Sequence, residues 1–271
     1  MLTSRERPPL RVCAAFGIDP DDLEPVDGEP GWRSSSVVLR PAADSAEAVW
    51  AGRTLGAISL PDLRIARPAQ ATDGRSIVAG WMAYRMAGDG ADGEMDGQPS
   101  VDEIVLTSVK LHQALARLPR PEFIARRTDL LARADRVAWG EQQADLDESN
   151  GGRWFEVLAG AARATALPDQ VVHGSLFRSV RFTGDRQPTV VDFRPYFRPA
   201  EWATALVVVD AIVLNAAGAT LIERWAHLPE WRQMLLRATL FRLAAHALDA
   251  DAGEDALNGL RRAAVLVGEA A

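Results

Sequence analysis

The stretch VVHGSLFRSVRFTGDRQPTVVDFRPYFRP, residues 171–199, decides the reading of this chain. Its apolar start, with Gln170 before it, predicts a strand over Gln170–His173, and His173–Gly174 opens a tight loop. Val180–Thr183 and Thr189–Asp192 predict two further strands, joined by the turn Gly184–Pro188, and Asp192–Phe193 ends the pair. On both sides the pattern is helical. Upstream, Ser100 and Glu103 fit a capping box, and Ile104, Leu111, Leu115 and Leu118 then share one helix face. Further helices are expected over 121–140 and 154–167, and downstream over about 200–217, 219–227, 230–248 and 254–267.

Farther upstream, residues 87–99, AGDGADGEMDGQP, are glycine-rich and acidic and read as a linker. Before them the pattern mixes α and β. A helix is expected over 9–18, a strand over Ser36–Arg40, a helix over Ser45–Leu55 capped by Asp44, and strands over Leu63–Pro68 and Ser76–Tyr84. The class is therefore α+β, with a small mixed region at 1–86 and a larger helical region at 87–271 that carries the hairpin at 171–199.

Composition limits what such a chain does. Of 271 residues, 48% are hydrophobic and 25% charged, the balance of a folded globular protein. The most apolar stretch, Ala205–Ala217, is broken by Asp210 and Asn215, so no membrane span is expected, and the start MLTSRERPPLRV lacks a signal-peptide core. A cytoplasmic protein is expected. The net charge of −7 disfavours nucleic acid and anionic membrane as partners. Cys13 is the single cysteine and the four histidines, 112, 173, 227 and 246, lack ligand spacing, so neither a disulfide nor a zinc cage is expected. Twenty-nine of the 30 basic residues are arginine, so chemistry that needs a lysine has only Lys110.

The 171–199 segment resembles the catalytic segment of the aminoglycoside phosphotransferase and choline-kinase family, a branch of the protein-kinase-like fold, which reads roughly hhHGDLxxGNhhh…hhDF. The chain is also similar to a bacterial subfamily of it through Gly31–Trp32–Arg33, Val37–Pro41, Asp192–Pro199 and His227–Trp231. The resemblance implies a two-lobed kinase-like fold, ATP and Mg2+ as cofactors, and a hinge at Trp81–Arg85, where Trp81, Met82 and Ala83 would meet the nucleotide. It places the loop histidine at His173 and the metal-holding aspartate at Asp192. It also implies three departures. Ser175 stands where the family has its base aspartate. Ser179, or Val180 in the commoner spacing, stands where it has a magnesium-binding asparagine. Arg40 stands where it has the strand lysine, with Glu47 as its helix partner. The phosphate-covering turn would lie in Asp27–Ser36, without a GxGxxG.

Serine at 175 is no general base at neutral pH, and arginine does not replace lysine as a point charge. Besides a scaffold that binds no nucleotide, two outcomes are open. One is a degenerate, pseudokinase-like protein that binds a small molecule or a protein partner. The other is an ATP-dependent small-molecule phosphotransferase in which Asp192, aided by Ser179, holds the metal and Arg40 grips phosphate. For His173 an anchoring part stands beside a catalytic one. For Asp192 a pairing with Arg178 or Arg194 stands beside metal binding. The arginines at 178, 181, 186, 194 and 198 make one basic segment, readable as an anion site or as partners of acidic loops such as Asp145–Glu148.

Overall fold

The computed structural model describes residues 6–25, 31–35, 37–42, 45–85, 100–182 and 187–270. The expectations on Asp44, on Asp27–Pro30 and Ser36 of the proposed phosphate turn, on the linker 87–99 and on Gly184–Arg186 lie outside the described residues. The chain begins with α1 (Leu10–Phe16), β1 (Glu24–Pro25), β2 (Trp32–Arg33), β3 (Val37–Pro41) and α2 (Ser45–Thr54). It continues through β4 (Arg64–Ile65), β5 (Pro68–Ala69), β6 (Trp81–Arg85), α3 (Val101–Leu115), α4 (Glu122–Arg126), α5 (Leu130–Ala138) and α6 (Arg153–Ala159). Then follow β7 (Gln170–His173), α7 (Leu176–Ser179), β8 (Val180–Phe182), β9 (Pro188–Val190) and β10 (Pro195–Arg198). The helices α8 (Ala200–Val213), α9 (Ala219–Arg224), α10 (Trp231–Leu248) and α11 (Glu254–Ala270) complete it.

Two compact units result, Met1–Gln98 with Ser179–Phe193, and Pro99–Arg178 with Arg194–Ala271. The boundary differs from the sequence division at 86/87, because the 171–199 segment is shared. Its middle part joins the first unit through β9, which pairs in parallel with β4, Arg64 opposite Thr189 and Ile65 opposite Val190. Ala66 extends that ladder by donating its N–H to Val190 O at 2.7 Å. β8 lies antiparallel on the other edge of β9.

The first unit is built on an antiparallel sheet in the order β1-β2-β3-β6-β5. Alternation along β3 and β6 sorts side chains between two faces. Val37, Leu39, Trp81 and Ala83 pack with Val12, Cys13, Ile18 and Leu23 from the α1 side. Met82 and Tyr84 face the other way and pack with Ala48 of α2 and with Ala66. Arg40 stands opposite Met82 in the ladder and so belongs to this second face. The expected strand 76–84 begins only at Trp81. Ala79 and Gly80 both take positive φ, 48° and 81°, and turn the chain so that Val78 and Trp81 pair across the bend. The expected strand 63–68 is likewise two short strands, β4 and β5, serving different sheets.

The second unit is helical. α8 is apolar on nearly every side, and both α8 and α10 bury most of their residues, which makes them its centre. α3 starts at the expected capping box, with Ser100 Oγ accepting the Glu103 N–H and the Glu103 carboxylate accepting the Ser100 N–H. The single helix expected over 121–140 is two, α4 and α5. The chain leaves helical geometry at Arg127, and Asp129 caps α5 by accepting the Ala132 N–H. α6 stops at Ala159, short of the expected 167, beside Gly160. β7 pairs with β10, His173 opposite Pro195 and Gln170 opposite Arg198. Arg198 is buried there and its guanidinium bridges Asp135 and Glu141 at 2.6–3.0 Å, a partner set in α5 and just after it rather than in the Asp145–Glu148 loop.

Candidate functional site

The sequence-derived site residues fall in both units, and each group is best read within its own. In the second unit the strand β7 delivers His173 to the start of the loop. His173 is fully buried, and its Nδ1 accepts the Ser175 N–H at 3.0 Å, which folds the loop back on its own histidine. Gly174 is the residue the loop requires, because a Cβ there would sit 2.2 Å from the Tyr196 ring. That ring belongs to an edge-packed cluster with Trp202 and Phe241. Burial pushes the Tyr196 phenol up to about 12, so it stays neutral.

The loop is fastened by residues that the sequence reading did not select. The His173 N–H donates to His112 Nε2 at 3.0 Å. Burial first, and then the influence of His173, lower the His112 pKa to about 3, so its ring is neutral and the hydrogen sits on Nδ1. Nδ1 then donates to Ser108 Oγ at 3.1 Å, leaving the Ser108 O–H for Thr204 Oγ1 at 3.0 Å. Thr204 in turn donates to Ala200 O at 3.3 Å. This directional chain ties β7 to α3 and α8. A second tie is charged, since Asp210 on α8 forks onto Arg242 at 2.7 and 2.6 Å, and Arg242 donates to Gly174 O at 3.3 Å. Both had a signal in the sequence. Ser108 and His112 stand i, i+4 on the apolar stripe of α3, and Asp210 interrupts the apolar run 205–217. Polar groups at buried positions require partners.

In the first unit the structure brings Arg40 and Asp192 together, Arg40 Nη1 lying 2.5 Å from Asp192 Oδ2 with side chains 7% and 8% exposed. A guanidinium on Asp192 is thus that of Arg40 from β3, a partner that the sequence reading did not give it. Neighbours position the carboxylate from both sides. Val191 donates its N–H to Ser179 O at 2.8 Å, and the Phe193 ring packs against Trp50 of α2 with centroids 6.0 Å apart. Ser179 itself is buried, and the Val191 whose N–H it accepts directly precedes Asp192. Glu47 lies in the first turn of α2.

Trp81, Met82 and Ala83 do not form a connector. They are buried residues of β6, inside the sheet, with β3 along one edge and β5 opposite Ala83 and Tyr84 on the other. A hinge that reads a nucleotide base needs backbone groups not already paired. Here Trp81 exchanges both backbone bonds with Val78. The residues that the resemblance reads as a hinge, 81–85, form the strand β6.

A divalent cation of the magnesium type needs hard oxygen ligands in near-octahedral array, usually one or two carboxylates with phosphate and water. The aspartate that the resemblance assigns to the metal is ion-paired, and its neighbour Ser179 offers a buried neutral hydroxyl. This donor set does not fit the ion.

The sequence matches no protein-family model and no curated relative. Solved structures do match. The chain is similar to a thermostable mutant of aminoglycoside phosphotransferase APH(4)-Ia in its apo form, with TM-score 0.58 and 15% identity over 96% of this chain and 98% of that one. It is also similar to the microcompartment-associated aminopropanol kinase, with TM-score 0.58 and 15% identity over 95% of this chain and 94% of that one. The protein has a kinase-like α+β fold, the one these phosphotransferases share. Among the described residues no helix is long and apolar enough to cross a membrane.

Proposed function

We propose that the protein is a pseudokinase of the aminoglycoside-phosphotransferase type, which binds a small molecule or a protein partner and transfers phosphoryl groups little or not at all. The observation that carries this reading is the loop after β7. It is held by a buried scaffold, yet residues 173–179, HGSLFRS, contain no carboxylate and no side-chain amide. Its one titratable base, His173, is buried and spends Nδ1 on the Ser175 N–H. Losing base help alone costs on the order of 10²–10⁴ in rate.

The same scaffold also supports a second reading. A loop so firmly placed is what positioning catalysis asks for, and phosphoryl transfer rests more on positioning than on covalent help. In that version the protein is a working ATP-dependent small-molecule phosphotransferase that uses Asp192 and non-standard ligands, with Arg40 gripping phosphate. The test is a radiolabelled-ATP assay with Mg2+, using aminoglycosides and amino alcohols as acceptors. We expect no acceptor-dependent transfer. Magnesium-dependent phosphorylation that is lost in Ser175→Ala or Asp192→Ala would overturn the pseudokinase and establish the second reading.

A further inference from the structure

Asp192 carries a cation of the protein's own. We propose that Arg40 is the resident counter-ion of Asp192, its guanidinium taking the place on that carboxylate that a divalent metal ion would take, so that this unit binds no divalent metal there. The inference goes beyond the pseudokinase reading, because it holds whether or not any phosphoryl group is transferred.

The geometry makes the pair a built feature. Arg40 is on the α2 face of the sheet, opposite Met82, and cannot turn to the other face without breaking the β3 alternation. Asp192 follows β9, which β4 and β8 flank, and lies between the Val191–Ser179 backbone bond and the Phe193–Trp50 ring contact. The two ions meet at 2.5 Å with little solvent on either. A buried carboxylate needs a partner, and here an arginine fills the need permanently. A metal ion would have to displace the guanidinium, leaving that charge buried.

The test uses Mn2+ alone, followed by water-proton relaxation and by thermal unfolding. Wild-type protein is expected to bind no Mn2+ at Asp192, and its Tm is expected not to move in about 10 mM Mn2+. Arg40→Gln uncovers the carboxylate. Its Tm should fall by about 10 °C, and Mn2+ should restore about 3 °C of the loss. One-to-one Mn2+ binding by the wild type that disappears in Asp192→Asn overturns the proposal. An Arg40→Gln protein that folds but gains nothing from Mn2+ also counts against it. Should Arg40→Gln fail to fold, the wild-type arm decides alone. Phosphoryl transfer is measured separately, so failure of this inference and failure of the pseudokinase reading give different results.

Discussion

The two ends of the 171–199 segment are fastened by opposite means. At its start the loop hangs on neutral groups, since His173, His112, Ser108 and Thr204 pass hydrogen bonds in one direction through the second unit. Near its end Asp192 hangs on charge, paired with Arg40 in the first unit. The difference lies in what each loses when broken. A neutral hydrogen bond nets about 0.5–1.5 kcal/mol, because water competes for the same groups in the unfolded chain. A buried ion pair contributes little net over an apolar pair, yet removing one partner strands the other charge. The loop is therefore expected to fail by degrees and the pair all at once.

The largest effect expected is at the pair. Asp192→Ala should cost about 3–5 kcal/mol, the usual penalty for an uncompensated buried charge, read from urea unfolding. Replacing both ions, Arg40→Met with Asp192→Leu, should cost much less than the single change. A single-variant cost below about 1 kcal/mol would mean that solvent reaches the pair, and the contrast with the loop would disappear.

A smaller effect separates the two fastenings by pH. His112 has a folded pKa near 3 against an ordinary value of about 6.5. Between those values the unfolded chain binds more protons than the native one, so stability rises with pH through this window and is lost as pH falls. From about pH 7.5 to about pH 5 the loss due to this one ring is on the order of 2 kcal/mol. His112→Gln keeps an acceptor for the His173 N–H and a donor for Ser108, but does not titrate. The stability difference between wild type and His112→Gln should therefore shift in favour of the variant as pH drops. A difference that stays constant with pH would refute a neutral buried histidine.

How far these features were legible in the sequence depends on range. Period and capping placed α3, α8, α10 and β7 closely, since those signals lie within a few residues of one another. The turn at Ala79–Gly80 was missed because Ala79 takes a positive φ that its side chain does not advertise. The resemblance singles out Arg40, His173 and Asp192, but it does not give their partners. Arg40 is some 150 residues from Asp192, and β9, which leads to Asp192, is placed by a parallel pairing with β4 that has no local mark. His112 was similarly 61 residues from the amide it accepts, although its place on an apolar stripe required some partner.

The smallest effect sharpens the neutral side of the contrast. Ser108 receives the His112 Nδ1–H and donates to Thr204, so Ser108→Ala strands one donor in a buried place. It should cost about 1 kcal/mol, with the loop still formed. Thr204→Val removes the next group and leaves the Ser108 hydrogen and the Ala200 carbonyl without this partner, at a similar cost. If the chain is one directional relay, the two losses share a bond and the double variant should fall short of their sum by about 0.5–1 kcal/mol. Strict additivity would mean that the hydroxyls act separately, and that the loop is held by His112 and by Arg242 rather than by a line of bonds reaching α8. A coupling of that size would instead show that substitution at any link loosens the loop while sparing the fold, a response that the Arg40–Asp192 pair has no means to give.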